Sequence, residues 1–253
     1  MNQAPEECEA KAHRTRTRRA PNVPSRLRGM FVTVHVIGTG RAGGAISARL
    51  AERGVAVTSG RDPDPGAELV LLCVPDSAIS GVAAGIPVGP WLAHVSGATR
   101  LAALDPHERR FSLHPLQTLT HDRGPEQLDG AWAATSAESD EADAHARWLA
   151  EVLGLRPFAV ADADRVLYHA AAVIGGNFLV TLHQVATRLL SEVGAPGQAI
   201  VPLMTRTMEN GFELTGPIAR GDWSTVEAHL AALEERDPDF VPLYRALAEA
   251  TRP

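Results

Sequence analysis

The side chains best suited to move a proton in this chain are histidines. The only lysine is Lys11, so none stands beyond the first residues to act as an acid. Arginine cannot take that part, because a guanidinium keeps its proton to a pH above about 12, whereas imidazole titrates nearest neutrality. In YHAAAVIGGNFLVTL, His169, Val173 and Asn177 recur at i, i+4 spacing, which puts an imidazole and a carboxamide on one otherwise apolar side of a predicted helix. His114, in SLHPLQT, falls at a predicted strand end where Pro115 fixes the turn. With Ser96, a hydroxyl at another strand end in HVSGAT, these are the catalytic candidates. Their competing reading is a packed, hydrogen-bonded core, which is the reading adopted for His94 inside an apolar strand. Arg165 and Arg220 are the candidates to hold an anionic substrate. For Arg220, in LTGPIARGD, the alternative is a helix-connecting loop locked by Asp222.

A second chemistry is written in residues 32–50, VTVHVIGTGRAGGAISARL, where a β-branched run feeds a glycine loop and then an alanine-rich helical pattern. Gly38 permits the tight turn, Gly40 admits a pyrophosphate to the backbone, and Gly43 lets helix lie close to strand. The helix start presents free N–H groups and a positive dipole end to phosphate. The spacing therefore predicts a dinucleotide site, with Thr39, Arg41 and Ala42 completing the loop. Arg41 reads either as a second cation for the ligand or as a solvated surface arginine. An NAD site would carry Asp or Glu about twenty residues past Gly38; here the second strand, VAVT, runs into Ser59-Gly60-Arg61 with no carboxylate before Asp62. A hydroxyl and a planar guanidinium suit a 2′-phosphate, so the expected cofactor is NADP(H).

The elements that must carry these residues follow from apolar patterning. ELVLLCVPDSAI (68–79) is a continuous apolar run, as in a strand covered on both faces, followed by a loop and helix start. Further strands are predicted at 91–99, 109–115, 130–136 and 156–161, with a helix over 139–153. From about 163 onward only helices are predicted: 163–193 ending at Gly194, 196 to about 213, 224–235, and a last one from about 240. Gly175-Gly176 in mid-helix costs about 1 kcal/mol per glycine relative to Ala, which close approach of a cofactor ring or of a neighbouring helix would offset. The expected fold is α/β: an N-terminal Rossmann-like doubly wound parallel sheet over 30–162, then an all-α C-terminal domain over 163–253 for substrate binding and dimerisation. Residues 1–29 are expected to be a disordered tail, with Met30 a possible natural start.

Composition narrows the partners. The chain has 253 residues, is 45 % hydrophobic and carries a net charge of −6. Residues 1–30 hold seven Lys/Arg and three Glu, so the rest carries 17 basic and 27 acidic residues, a charge of −10 that argues against nucleic acid as a partner. No apolar run is read as approaching bilayer length and no secretory apolar core is read at the N-terminus, so a cytoplasmic protein without membrane contact is predicted. Two cysteines, Cys8 and Cys73, make neither a disulfide framework nor a metal site, and both are read as free thiols.

Taken in order, GTGRAGG, LLCVPDSAI, HVSGAT, SLHPLQT, YHAAAVIGGN and LTGPIARGD resemble a bacterial family with a Rossmann-like domain and a C-terminal helical domain of the DUF2520 type. That family is similar, at a distance, to 6-phosphogluconate and β-hydroxyacid dehydrogenases, pyrroline-carboxylate reductase and deazaflavin-dependent NADP reductases, and some members are alternative ketopantoate reductases. The resemblance implies a homodimer whose helical domain closes over the nicotinamide. It implies that Gly38, Gly40 and Gly43 bind pyrophosphate, that Pro75, beside Val74, and Ser96 border the nicotinamide ribose, and that His114, His169 and Asn177 face the substrate. The dehydrogenases it resembles use a lysine on the long helix, which this chain lacks, so their mechanism does not transfer unchanged. The expected activity is NADPH-dependent reduction of a small 2-oxo acid, with 2-dehydropantoate the leading substrate. Its rivals are an NADP(H) sensor without turnover and a reductase of imines or deazaflavin.

Overall fold

In the computed structural model, which describes residues 30–252, the chain divides into two compact units, one ending at Ala172 and the other beginning at Val173. The sequence reading drew that boundary at 162. Residues 163–172 instead group with the first unit, where Arg165, Tyr168 and His169 are held against its strands and loops. Expectations about residues 1–29, including Cys8, lie outside the described residues.

The first unit is built on a seven-stranded sheet: β1 (Thr33–Ile37), β2 (Ala56–Ser59), β3 (Leu69–Leu72), β4 (Trp91–His94), β5 (Arg110–Leu116), β6 (Trp132–Ala137) and β7 (Arg156–Ala159), in the order β2-β1-β3-β4-β5-β6-β7. The first five strands are mutually parallel. β6 runs antiparallel to β5, and β7 pairs parallel to β6. The sheet is thus mostly, not wholly, parallel as had been expected. The cause is the β5–β6 connection, which contains only a short 3₁₀ turn, Pro125–Leu128, and no crossover helix to return the chain to the opposite end of the sheet.

Both faces of the sheet are covered. One core joins Val34, Val36, Leu69, Leu71, Phe111 and Leu113 to α1 (Arg41–Glu52) and α3 (Asp140–Leu153); the other joins Ile37, Val70, Leu72 and Leu92 to α2 (Ile79–Ala84). β3 explains why LVLL has no polar alternation: all four side chains are fully buried, two on each face. α3 begins where Ser139 accepts a hydrogen bond from Ala142 N–H at 3.1 Å, carries Asp140, Glu141 and Asp143 in its first turn, and stops at Gly154 with φ +83°. α1 is fixed to the β5–β6 connection by its buried Arg49, which pairs with Asp129 at 2.8 Å and donates to Pro125 O at 2.7 Å.

A 3₁₀ turn, Asp162–Asp164, leads into α4 (Arg165–Val173), a π-helical stretch Ile174–Phe178 and α5 (Leu179–Glu192). The second unit continues with α6 (Ile200–Glu209), α7 (Trp223–Arg236) and α8 (Val241–Ala250). The helix expected to end at Gly194 does so, with that glycine at φ +77°. The run Asp162–Glu192 is 31 residues long and is apolar and long enough to cross a membrane by length and composition, contrary to the sequence expectation. Its apolar residues are interrupted by Arg165, His169, Asn177, His183 and Arg188, and Arg165 is fully buried in the sheet-bearing unit.

Candidate functional site

The glycine loop has the shape its spacing predicts. Gly38 sits at φ +104°, and a side chain there would overlap Cys73 O; one at Gly43 would overlap Gly38 O. These two positions accept only glycine, for backbone angle and for contact respectively. Gly40 differs, since nothing lies within 4 Å of where its Cβ would be. It is also the N-cap of α1, and no side chain caps the helix there. The N–H groups of the first turn therefore open onto free space beside the loop, as an anion site requires. Thr39 and Arg41 are exposed and Ala42 is half-buried. Cys73 lies beneath the loop, where burial pushes its thiol up to about 12 and leaves it unreactive.

Ser59 closes β2 and, like Arg61, is exposed; the Arg61 guanidinium has no hydrogen bond or ion pair among the described residues. The two stand beyond the carboxyl end of β2, where a 2′-phosphate would lie relative to the glycine loop. Val74 is half-buried with its Cγ1 3.3 Å from the Cβ position of Gly38, and Pro75 is exposed at the start of the 3₁₀ turn Asp76–Ala78.

At the carboxyl ends of β4 and β5 the structure gathers three rings. His114 Nδ1 and the Tyr168 hydroxyl are 2.7 Å apart, and the His114 and His169 rings meet edge to face at 5.8 Å. They converge on Gly97, just past β4. A Cβ at Gly97 would lie 3.0 Å from His114 Cε1 and Nε2 and would overlap His169 Cδ2. Neither nitrogen of His169 is bonded to a described residue, and neither is an enclosed, unpartnered atom, so both are open to a ligand. Burial, reinforced by His169 and Arg165 and opposed by Asp76, pulls His114 down to about 4, so it is neutral at physiological pH.

Two expected site residues have other work. Arg165, expected as a substrate anchor, is fully buried: it donates from Nε to Thr99 O at 2.7 Å, from one terminal nitrogen to Ser112 Oγ and Ser136 Oγ at 2.7 and 2.8 Å, and from the other to Ser96 O. Four of its five N–H groups are thus engaged, and no carboxylate among the described residues pairs with it. It clamps α4 to β5, β6 and the loop after β4. Ser96 Oγ is turned inward as well, donating to Thr99 Oγ1 at 2.9 Å and accepting from Thr99 N–H at 3.0 Å, which shapes that loop and leaves the hydroxyl no free direction. His94 is buried as expected, accepts from Ser96 N–H at 3.2 Å, and is held down at about 3, chiefly by desolvation.

Asn177 lies in the second unit, exposed, within the π-helical stretch. Because a π turn takes more residues than an α turn, the i, i+4 alignment read from His169 through Val173 does not continue to Asn177. Arg220 is exposed and forms no ion pair with Asp222, which instead caps α7 by accepting from Thr225 N–H at 3.2 Å, Thr225 Oγ1 and Ser224 Oγ. No group of three or more His, Cys, Asp or Glu suited to a metal exists among the described residues. A cavity of about 670 Å³ opens at the opposite ends of the strands between Phe31, Trp91, Arg109 and His145, away from the loop and the imidazoles.

Sequence reasoning missed Tyr168. Apolar periodicity could not have found it: Arg165, Tyr168, His169 and Ala172, at i, i+3, i+4, i+7, are buried or half-buried, while the apolar Val166, Leu167, Ala170 and Ala171 between them are exposed.

Residues 131–251 match a family described as Domain of unknown function (DUF2520), the helical-domain type that the motifs resemble. No curated protein matches the chain. Among solved structures, a candidate NADP oxidoreductase from Bacteroides fragilis is 22 % identical with a TM-score of 0.73, covering 87 % of this chain and 97 % of its own. A Thermotoga maritima protein is 24 % identical with a TM-score of 0.66, covering 86 % and 98 %. A reductive aminase from Aspergillus terreus, solved with NADPH and ethyl levulinate, is 18 % identical with a TM-score of 0.63, covering 87 % and 93 %. These likenesses establish the fold, a Rossmann-like sheet followed by a helical region.

Proposed function

We propose that the protein is an NADP(H)-dependent reductase of a small carbonyl compound. The observation that carries the reading is that a glycine loop after β1 and a pair of imidazoles at β4 and β5 stand at the carboxyl ends of parallel strands of one sheet, where open α/β sheets bind ligands. The open space at Gly40 and the uncapped start of α1 fit a pyrophosphate, and Ser59 and Arg61 fit a 2′-phosphate. Held there, NADPH would supply the hydride for the carbonyl carbon. The chain's part is to supply the proton that the carbonyl oxygen then takes, and with no lysine in the described residues that falls to His169, whose nitrogens are open. The preferred substrate class is a 2-oxo acid, 2-dehydropantoate first among them. Reduction of C=N is the second reading, favoured by the likeness to a reductive aminase.

Purified protein should oxidise NADPH with at least one member of a panel of 2-oxo acids and cyclic imines, followed by loss of absorbance. Binding of NADPH without turnover across the panel would instead favour a sensor. His169→Ala should lower turnover at least about a hundredfold with NADPH affinity little changed, the usual contribution of general acid catalysis.

The helical unit is further proposed to pair with a second copy. Gly175 and Gly176 have nothing within 4 Å of their Cβ positions, so the approach that would offset their cost is not made among the described residues. Ile174, Phe178 and Val180 beside them are 62, 54 and 56 % exposed, an apolar surface of the kind that marks an interface.

A further inference from the structure

The ring beside His169 has a fixed tautomer, and what fixes it is the residue that sequence reasoning overlooked. His114 Nδ1 and Tyr168 Oη are 2.7 Å apart, a distance that permits either group to donate. Two facts decide between them. A phenol is a much stronger acid than the N–H of a neutral imidazole, so it is the better donor of the pair. The Tyr168 hydroxyl also has no other partner among the described residues, so its proton would be left unused if it only accepted. The Tyr168 ring is held in place from both sides, edge-on to Phe158 of β7 at 5.9 Å and to His114 at 5.6 Å. Nδ1 of His114 is therefore the acceptor, and the imidazole proton sits on Nε2. That nitrogen has no hydrogen-bond partner among the described residues, is not an enclosed atom, and lies on the ring edge that faces Gly97.

We propose that Tyr168 is a positioning residue that locks His114 as its neutral Nε2–H tautomer, so that His114 presents a hydrogen-bond donor, not a base, to the substrate oxygen at the carboxyl end of β4. This rests on the reductase reading for the identity of the acceptor, but not for the tautomer. Burial above all keeps His114 neutral, helped by His169 and Arg165 of α4 and opposed by Asp76 after β3; Tyr168 of α4 and the buried His94 of β4 are the other titratable groups around it. A neutral imidazole polarises a carbonyl without giving up its proton, and a phenol donating to its far nitrogen strengthens that bond cooperatively. The two histidines thereby divide the work. His114 holds and polarises the oxygen as charge develops, and His169 delivers the proton.

The test uses the whole protein with ¹⁵N-labelled histidine, read by NMR without any substrate. His114, identified by the resonances lost in His114→Asn, should show a protonated Nε2 and an unprotonated, hydrogen-bonded Nδ1, and should stay neutral from pH 8 to pH 5. In Tyr168→Phe the same ring should populate both tautomers while the remaining histidine resonances keep their wild-type positions. An Nδ1–H tautomer in the wild type, titration of His114 between pH 5 and 8, or an unchanged ring in Tyr168→Phe would each overturn the proposal. The wild-type arm stands whether or not the variants fold. Where a substrate is turned over, Tyr168→Phe should lower kcat about tenfold with NADPH affinity unchanged, the scale of one hydrogen bond; an unaltered kcat counts against it. Failure to find any substrate would defeat the reductase reading and leave the tautomer result intact.

Discussion

Single residues at this site act by what they leave room for as much as by what they donate. Gly97 is the clearest case, because the space where its side chain would be is filled by His114 and His169. Gly97→Ala should displace the His169 ring, the more movable of the two, at small cost in stability and with turnover lowered at least about tenfold. Urea unfolding and steady-state NADPH oxidation measured together separate the two effects. Arg61 is the corresponding residue for cofactor choice, exposed and without a partner. Loss of a charge-assisted contact costs about 1.5–3 kcal/mol, so Arg61→Ala should weaken NADPH binding more than tenfold and leave NADH nearly unchanged in fluorescence titrations. Equal loss for both cofactors would remove Arg61 from that role.

Among the elements, α4 is positioned by one buried guanidinium. Arg165 reaches Ser96 O and Thr99 O after β4, Ser112 on β5 and Ser136 on β6, so three segments of the sheet unit and one helix share a single fork. Arg165→Met keeps the volume but leaves buried acceptors unpaired, at about 1–3 kcal/mol for each unsatisfied group. A loss of at least about 3 kcal/mol in urea unfolding is expected, and Arg165→Lys should recover little of it, because a point charge cannot replace a planar fork. A substrate anchor would have behaved oppositely, with stability intact and KM raised. The glycine loop and α4 are both legible in the sequence as elements, the first from strand, glycines and helix in order, the second from its periodicity. That Arg165 faces inward and Tyr168 toward His114 was not legible, since the partners lie 29 to 69 residues away in the chain and local spacing carries no information about them.

For the whole molecule, two histidines couple folding to pH. His94 and His114 are held in the fold at about 3 and about 4, both below the ordinary 6.5. Their folded values are depressed, so the unfolded chain binds more protons below pH 6.5. Stability is full above that value and should fall as pH drops from 6.5 toward 4, by at most about 1.4 kcal/mol per pH unit for each histidine. Urea unfolding at pH 7, 5.5 and 4.5 measures it, and His94→Leu should flatten the slope. At the same scale, sedimentation at micromolar concentration is expected to give a two-fold dimer, with Ile174→Asp and Phe178→Asp together shifting it to monomer. A wild-type monomer, with or without NADPH, would end the pairing proposal.

The order of elements, the glycine loop, the doubly covered β3, the caps at Ser139 and Gly154 and the turn to an all-helical second half were all decided by the sequence, because each depends on residues within a few positions of one another, where periodicity and backbone preference act. The reversal of β6, the inward turn of Ser96 and Arg165, the π stretch that takes Asn177 out of line with His169, and the Tyr168–His114 pair were decided only by the tertiary structure. Each of these depends on which distant segment supplies an acceptor, a donor or a crossover, and a buried polar group goes wherever its partner is.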